Sequence, residues 1–293
     1  MRHVTPTVVV LGASGRLGRR LLPAFASAGF DAIAVARAAP SGPPGSSRSI
    51  TADLTDPDER ARLATTVATW TEGRDRVYIA DVVLDRRGVE AMRRSVVAVT
   101  DAVLRLHDRL ARRAASVGLV AASTTAVLAP DLYQTPYGLA KRRQVLAYAR
   151  SGLGGDALLL PALNETGNGA HGGAGPWHVW SFECAADRLV PAALDSAFTI
   201  RVPDLTQQVT LGLPSRRTHG VGEVLRAHVR SLLTDRNSMH AHREAARGRL
   251  GVSPDRIRRR VDHHLAPAHL IRRFAERYHV HVVHEQGRRY PAT

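Results

Sequence analysis

Tyr137 and Lys141 stand four residues apart in Tyr137-Gly138-Leu139-Ala140-Lys141, and Lys141 is the one lysine among 41 basic residues, the other forty being arginines. With six tyrosines in 293 residues, a lone lysine falls at that offset by chance roughly 2% of the time. Arginine and lysine carry the same charge in different shapes, a planar fork against a compact ammonium. A position that keeps the ammonium in so arginine-biased a chain asks for the point charge. On a helix, residues four apart share a face. There an ammonium favours the phenolate of a neighbouring tyrosine, which in water forms only near pH ~10. The pair therefore reads as acid/base chemistry.

A second group of residues suits a phosphate. Gly12-Ala13-Ser14-Gly15-Arg16-Leu17-Gly18 follows the apolar run Thr7-Val8-Val9-Val10-Leu11 and opens a helical pattern. Glycines at this spacing let the backbone turn sharply and approach a pyrophosphate, whose charge meets a helix amino terminus. In such sites the end of the next strand selects the cofactor: an acid binds a ribose hydroxyl, an arginine a 2′-phosphate. Arg37 stands there, with Arg16 as a second cation, so NADP(H) is expected over NAD(H). Asp53, at the end of a third apolar run, is placed to receive an adenine amino group. The cluster Ser123-Thr124-Thr125 precedes Tyr137 by 12 to 14 residues. Any of its three hydroxyls could hydrogen-bond a substrate carbonyl beside the tyrosine.

These residues need elements to hold them. Apolar runs at 7–11, 32–36, 50–54, 77–83, 119–122 and 157–160 alternate with helical patterns at 19–28, 56–69, 88–115 and 136–150. Alternating strands and helices predict an α/β, Rossmann-like doubly wound parallel sheet covered on both faces. Residues 38–49 and 164–176 are rich in Gly, Pro or Ser and read as loops. Beyond them the alternation weakens, and residues 221–233 and 255–279 suggest helix. The expected division is a nucleotide-binding domain over 1–165 and a small, mostly helical substrate-binding and basic region over 166–293 packed on it.

Composition narrows the classes. The formal net charge is +15, and residues 216–293 carry 17 arginines against seven acids. That concentration reads as a solvated helical face rather than a nucleic-acid site. Cys184 is the single cysteine, which excludes an internal disulfide and fits a reducing cytoplasm. No signal pattern precedes Val8, and no apolar run is long enough to span a membrane. Ten of fourteen histidines lie from His219 onward. They lack acidic or cysteine partners at ligand spacing, so no metal is expected.

The glycine loop, Asp53, the hydroxyl cluster and Tyr137 with Lys141 stand in an order and spacing that resembles the short-chain dehydrogenase/reductase superfamily. The nearest branch is its extended or atypical one, of epimerase/dehydratase-like proteins, and the resemblance covers roughly residues 5–165. It implies that Tyr137 gives or takes the proton on the substrate oxygen. It implies that Lys141 holds the nicotinamide ribose and lowers the tyrosine pKa, and that Thr124, with Ser123 a close second, polarises the carbonyl. Cofactor contacts would run along Gly12, Ser14, Gly15, Arg16, Leu17 and Gly18, then at Arg37, Asp53, Leu54, Ala80, Lys141 and Pro161. Substrate contacts would include Asp81, Thr125, Asn164 and Trp177. Asp81 departs from the family pattern, which places Asn-Ala-Gly or His-x-Ala-Ala at the end of that strand.

The activity implied is NADP-dependent reduction of a ketone or aldehyde of a small molecule, in biosynthesis of specialised metabolites. A redox-neutral nucleotide-sugar epimerase or dehydratase is the alternative. Its substrate diphosphate would call on Arg188, Arg201, Arg216 and Arg217. Dehydratases of this branch often carry Asp-Glu directly after the threonine, where Thr125-Ala126 stand here. A non-catalytic NADP-binding regulator is the third reading. Helices 88–115 and 136–150 pair between subunits in many members of the superfamily, which implies a homodimer.

Overall fold

The computed structural model describes residues 5–38, 45–85, 87–114, 116–128, 135–165, 179–190, 198–203, 267–284 and 289–290. The first six strands are β1 (Thr7–Leu11), β2 (Asp31–Ala36), β3 (Arg48–Thr51), β4 (Arg76–Asp81), β5 (Ser116–Thr124) and β6 (Gly154–Leu160). Between and after them run α1 (Arg16–Ser27), α2 (Pro57–Trp70), α3 (Val89–Leu110) and α4 (Thr135–Arg150). A short pair, β7 (Ala162–Asn164) and β8 (Val179–Ser181), leads into α5 (Phe182–Leu189). The chain then contributes β9 (Thr199–Val202), α6 (Pro267–Tyr278), β10 (Val282–His284) and β11 (Arg289–Tyr290).

One nine-stranded sheet has the order β11-β10-β9-β6-β5-β4-β1-β2-β3. All its pairings are parallel except β10 with β11. The strand order reverses between β1 and β4, the place where open α/β sheets hold their ligands. Residues beyond 165 thus continue the sheet through β9 and β10. Their described part is one helix and three strands of this sheet, besides β8 and α5.

Both faces of the sheet are covered, which explains why its strands are apolar runs rather than alternating patterns. Val9 and Leu11 point to the cluster built with α2, α3, α4 and α6. Val8 and Val10 point to the cluster built with α1 and α5. In α3, Met92, Ser95, Val96, Val99, Val103, Leu106 and Leu110 form the buried stripe, at the three- and four-residue spacing of one helix face. Helix α2 starts at Pro57 because Asp56 caps it, accepting from the Asp58 and Glu59 amides.

The third strand ends at Thr51, earlier than its apolar pattern suggests. Past it, Asp53 accepts from both the amide and the hydroxyl of Thr55, at 2.9 and 2.8 Å, and turns the chain toward α2. Strand β5 extends two residues further than expected, so Ser123 and Thr124 belong to the strand itself. None of the helices among the described residues is long and apolar enough to cross a membrane.

Candidate active site

The glycine loop is packed on itself so closely that side chains are excluded. Gly12 has φ +89°, and a Cβ there would stand 3.2 Å from the backbone of Val82 and Val83. A Cβ on Gly18 would meet the carbonyl of Gly12 and stand 2.8 Å from Ala13 Cα. The amides of Gly12 and Ala13 both donate to Val35 O at 3.0 Å, which ties the loop to the end of β2. Gly15 is the cap of α1 and offers no side-chain hydrogen bond; the first turn holds no acid. The opening amides of α1 therefore carry their partial positive charge toward the switch point. A dinucleotide's pyrophosphate fits this cradle. Ser14, Gly15 and Arg16 are exposed along it, while Leu17 and Gly18 are buried.

At the ends of β2, β3 and β4 four charges gather. Arg37 Nη1 lies 3.4 Å from Asp85 Oδ2. Arg87 reaches the same carboxylate, its Nε 3.0 Å from both oxygens. The Arg87 side chain and amide, with Arg37 adding to them, hold Asp85 well below the usual carboxylate range. Asp53 is likewise lowered, first by its hydrogen bonds from Thr55 and then by the charges of Arg37 and Arg87. Arg37 keeps 53% of its side chain exposed. Sequence reasoning found Arg37 and Asp53 and missed Asp85 and Arg87, which lie beyond the end of β4. Leu54 is half-buried beside Asp53, and its carbonyl accepts from Arg60. Arg16, on the other side of the cradle, stands 3.6 Å from Glu165.

Helix α4 brings Tyr137 and Lys141 to the carboxyl end of β5. Tyr137 is half-buried. Lys141 is only 2% exposed. Its ammonium donates to Ala122 O at 3.3 Å and to Gln144 Oε1 at 2.7 Å. Burial lowers its pKa, and the charge of Asp81 opposes that. Thr124 ends β5 half-buried, and its hydroxyl oxygen accepts from the Ala126 amide at 3.3 Å. That bond occupies a lone pair and leaves the hydroxyl hydrogen for another acceptor. Ser123 is 5% exposed, and its Oγ has no hydrogen-bond partner among the described residues. Thr125 is half-buried in the following 3-10 turn, Thr125–Val127. Arg142 fastens this turn, donating to Val127 O at 2.7 Å and Leu128 O at 3.3 Å, and to Tyr278 of α6 at 2.9 Å.

Two of the expected contact residues are fully buried. Asp81 was expected to reach substrate, yet it is fully buried. Its Oδ2 accepts from Gln144 Nε2 and Tyr148 OH, each at 2.9 Å, and its Oδ1 from the Val83 amide at 3.1 Å. Ala80, expected beside the cofactor, is fully buried in the α1 face of the core. The backbone of Val82 and Val83, just past the end of β4 at Asp81, passes the glycine loop. Gln144 and Tyr148 went unrecognised in the sequence. Their signal was a stripe of hydrogen-bonding residues, Tyr137, Lys141, Gln144 and Tyr148, spaced four, three and four apart on one helix face.

Pro161 is half-buried just after β6, and Asn164 ends β7. Trp177 lies outside the described residues, as do Arg216 and Arg217. Trp180 is a core residue, 3% exposed, with the Arg188 guanidinium 4.9 Å from its ring centre. No group of metal-ligating side chains occurs among the described residues.

No curated protein matches the chain. Among solved structures, ElxO with NADP bound superposes with a TM-score of 0.52 at 11% identity, covering 68% of this chain and 96% of that one. Thermoplasma acidophilum aldohexose dehydrogenase gives 0.51 at 14% identity, covering 63% and 85%. A short chain dehydrogenase/reductase family protein gives 0.50 at 17%, covering 65% and 90%. Likeness at these identities shows a common fold. The model of the NAD dependent epimerase/dehydratase family matches residues 8–181, more than half the chain, and with the cradle and sheet order described above the chain belongs to that family.

Proposed function

We propose that this protein is an NADP-dependent reductase of a ketone or aldehyde carbonyl on a small molecule. Its family is that of NAD dependent epimerases and dehydratases; net oxidoreduction, the carbonyl, the direction and the preference for NADP are the proposal. A nicotinamide cofactor, when bound, supplies the hydride. The chain does the rest. Tyr137 delivers the proton to the substrate oxygen. Lys141, a cation in a dry pocket on the same helix face, keeps the phenol acidic enough to give that proton near neutral pH. Thr124 donates its hydroxyl hydrogen to the same oxygen and lowers the cost of the charge that develops there. Arg37, with Arg87 beside it, receives the 2′-phosphate, and the open turn of α1 takes the pyrophosphate.

The observation that carries this reading is the buried ammonium of Lys141 on the Tyr137 face of α4, beside the end of β5. A positive charge is costly to bury unless its surroundings require it. The test is to mix the protein with NADPH and a panel of ketones and aldehydes and follow the absorbance of the reduced nicotinamide. Steady oxidation with one of them is the expected result. Turnover of a substrate without net oxidation, or NADPH binding with no reaction across the panel, refutes it.

The family model itself favours a second reading, a redox-neutral epimerase or dehydratase. Two of the arginines it would use for a substrate diphosphate are committed elsewhere. Arg201 is paired with the buried Asp156 at 3.0 Å, and Arg188 lies over Trp180.

A further inference from the structure

Lys141 is held from behind by a chain of buried polar groups that the proposed reaction does not use. Its ammonium donates to Gln144 Oε1 at 2.7 Å. The other end of that amide donates to Asp81 Oδ2 at 2.9 Å, and Tyr148 donates to the same oxygen at 2.9 Å. Asp81, Gln144, Tyr148 and Lys141 are all nine-tenths or more buried. An amide has one accepting and one donating end. Between an ammonium and a carboxylate only one orientation satisfies both, so Gln144 is locked with its oxygen toward Lys141. We propose that Asp81 and Gln144 are positioning residues for Lys141: the carboxylate acts as its counterion through the amide, and the amide fixes where the ammonium sits.

Among the described residues two of the three ammonium hydrogens have acceptors, Gln144 Oε1 and Ala122 O. The groups that face this lysine are few. Strand β4 presents Asp81, and β5 presents the Ala122 carbonyl next to the Ser123 hydroxyl. Helix α4 itself brings Tyr137 and Tyr148, and α3 places Thr100 against Tyr148. Asp81 is thus the one acid in its surroundings among the described residues. Burial pushes the Tyr148 phenol well above its ordinary pKa, with the Asp81 charge adding to that, so it remains a donor to the carboxylate.

The inference rests on the reading of Lys141 as the ion that serves Tyr137, and its test can be run on the protein without cofactor. Because Lys141 is the only lysine, lysine labelled with carbon-13 gives a single ε-methylene signal in the NMR spectrum of the whole chain. A fixed side chain shows two distinct ε-proton shifts. Asp81→Asn preserves shape and removes the charge. It is expected to lower the titration midpoint of the lysine signal by at least about one pH unit, a tenfold loss of proton affinity. Gln144→Met preserves length and removes the bridge, and is expected to merge the two ε-proton shifts into one. Tyr148→Phe leaves the carboxylate in place and serves as the folded control, with both readouts near those of the parent. Thermal unfolding shows which variants are folded. If Asp81→Asn does not fold, Gln144→Met carries the test.

Folded variants whose midpoint and splitting match the parent overturn the proposal. Adding NADP+ separates the two readings. A lysine signal that responds to Asp81→Asn but not to NADP+ supports the counterion network and overturns the ribose contact assigned to Lys141.

Discussion

Replacing Gly18 by alanine separates the cofactor cradle from mere stability. The added Cβ would stand 2.8 Å from Ala13 Cα and 2.9 Å from the Gly12 carbonyl carbon. Carbon atoms in contact prefer ~3.5–4.0 Å, so the first turn of α1 must retreat by roughly 0.7 Å or more. Every atom it meets is backbone, and no side chain can swing aside. Overpacking of this kind costs ~1–3 kcal/mol, seen as a fall in Tm of roughly 2–4 °C per kcal/mol. The opening amides of α1 move with the turn and lose their aim at the pyrophosphate. A tenfold rise in the Kd for NADP+, equivalent to ~1.4 kcal/mol, is the smallest effect expected from calorimetric titration. Gly29→Ala is the matched control. Gly29 has φ +84° and an open space where the Cβ would go. Left-handed strain there costs ~1–2 kcal/mol and leaves the cradle untouched. Gly18→Ala binding NADP+ as tightly as the parent, while Gly29→Ala loses similar stability, would refute the assignment of this loop to the cofactor.

Other outcomes follow from the charged groups. Arg37→Glu should raise the Kd for NADPH at least tenfold more than that for NADH, measured by fluorescence titration; equal effects remove Arg37 from the 2′-phosphate site. Asp85→Asn should lower Tm at neutral pH. The folded-state pKa of Asp85 lies below its unfolded value, so its contribution is present above about pH 4 and is lost as pH falls through the folded pKa. The gap between variant and parent should close below that pH, and a gap that widens in acid contradicts the clamp. Arg201→Met leaves Asp156 buried and unpaired. Stability should fall by a few kcal/mol at neutral pH, on the order of the ~3–5 kcal/mol seen for broken buried pairs, and the loss should shrink in acid as Asp156 takes up a proton. UDP binding that weakens in the same variant would return Arg201 to a diphosphate site. Lys141→Arg preserves charge but brings a wider group to a pocket where the lysine is 2% exposed. A large loss of turnover with NADP+ binding retained is expected on any active carbonyl substrate, and near-normal turnover defeats the geometric case for lysine.

Much of the fold was legible because the strands of a doubly covered sheet must be apolar on both faces. Val8 to Leu11, Ile33 to Ala36 and Leu119 to Ala122 announce themselves. Their ends were less legible. Thr51 closes β3 where its partner β2 ends at Ala36, and the Asp53–Thr55 turn follows. Strand β9 went unseen because Thr199–Val202 is four residues long and its neighbour in the sheet, Val282–His284, comes after a long arginine-rich stretch with no strand pattern. The glycine loop after β1, Arg37 after β2 and the helical spacing of Tyr137 and Lys141 are local patterns, and the structure puts them at the element ends where the sequence placed them. Asp85 and Arg87 are two residues apart, but nothing local reveals that Arg37, 48 residues earlier, shares the same carboxylate.

Asp81 shows how a correct signal can carry the wrong meaning. An acid in an otherwise apolar strand stands out, and exposure to substrate was the simplest reason for its presence. The groups that satisfy it lie 63 and 67 residues later on α4, so only the folded chain shows that it is filled from within. The same contact explains the lysine. A guanidinium has five donors in a flat fork and needs acceptors spread around its plane. The pocket offers Gln144 Oε1 and the Ala122 carbonyl, with Asp81 behind the amide, and these suit three hydrogens on one nitrogen. The preference for lysine at position 141 therefore follows from the acceptors on its buried side.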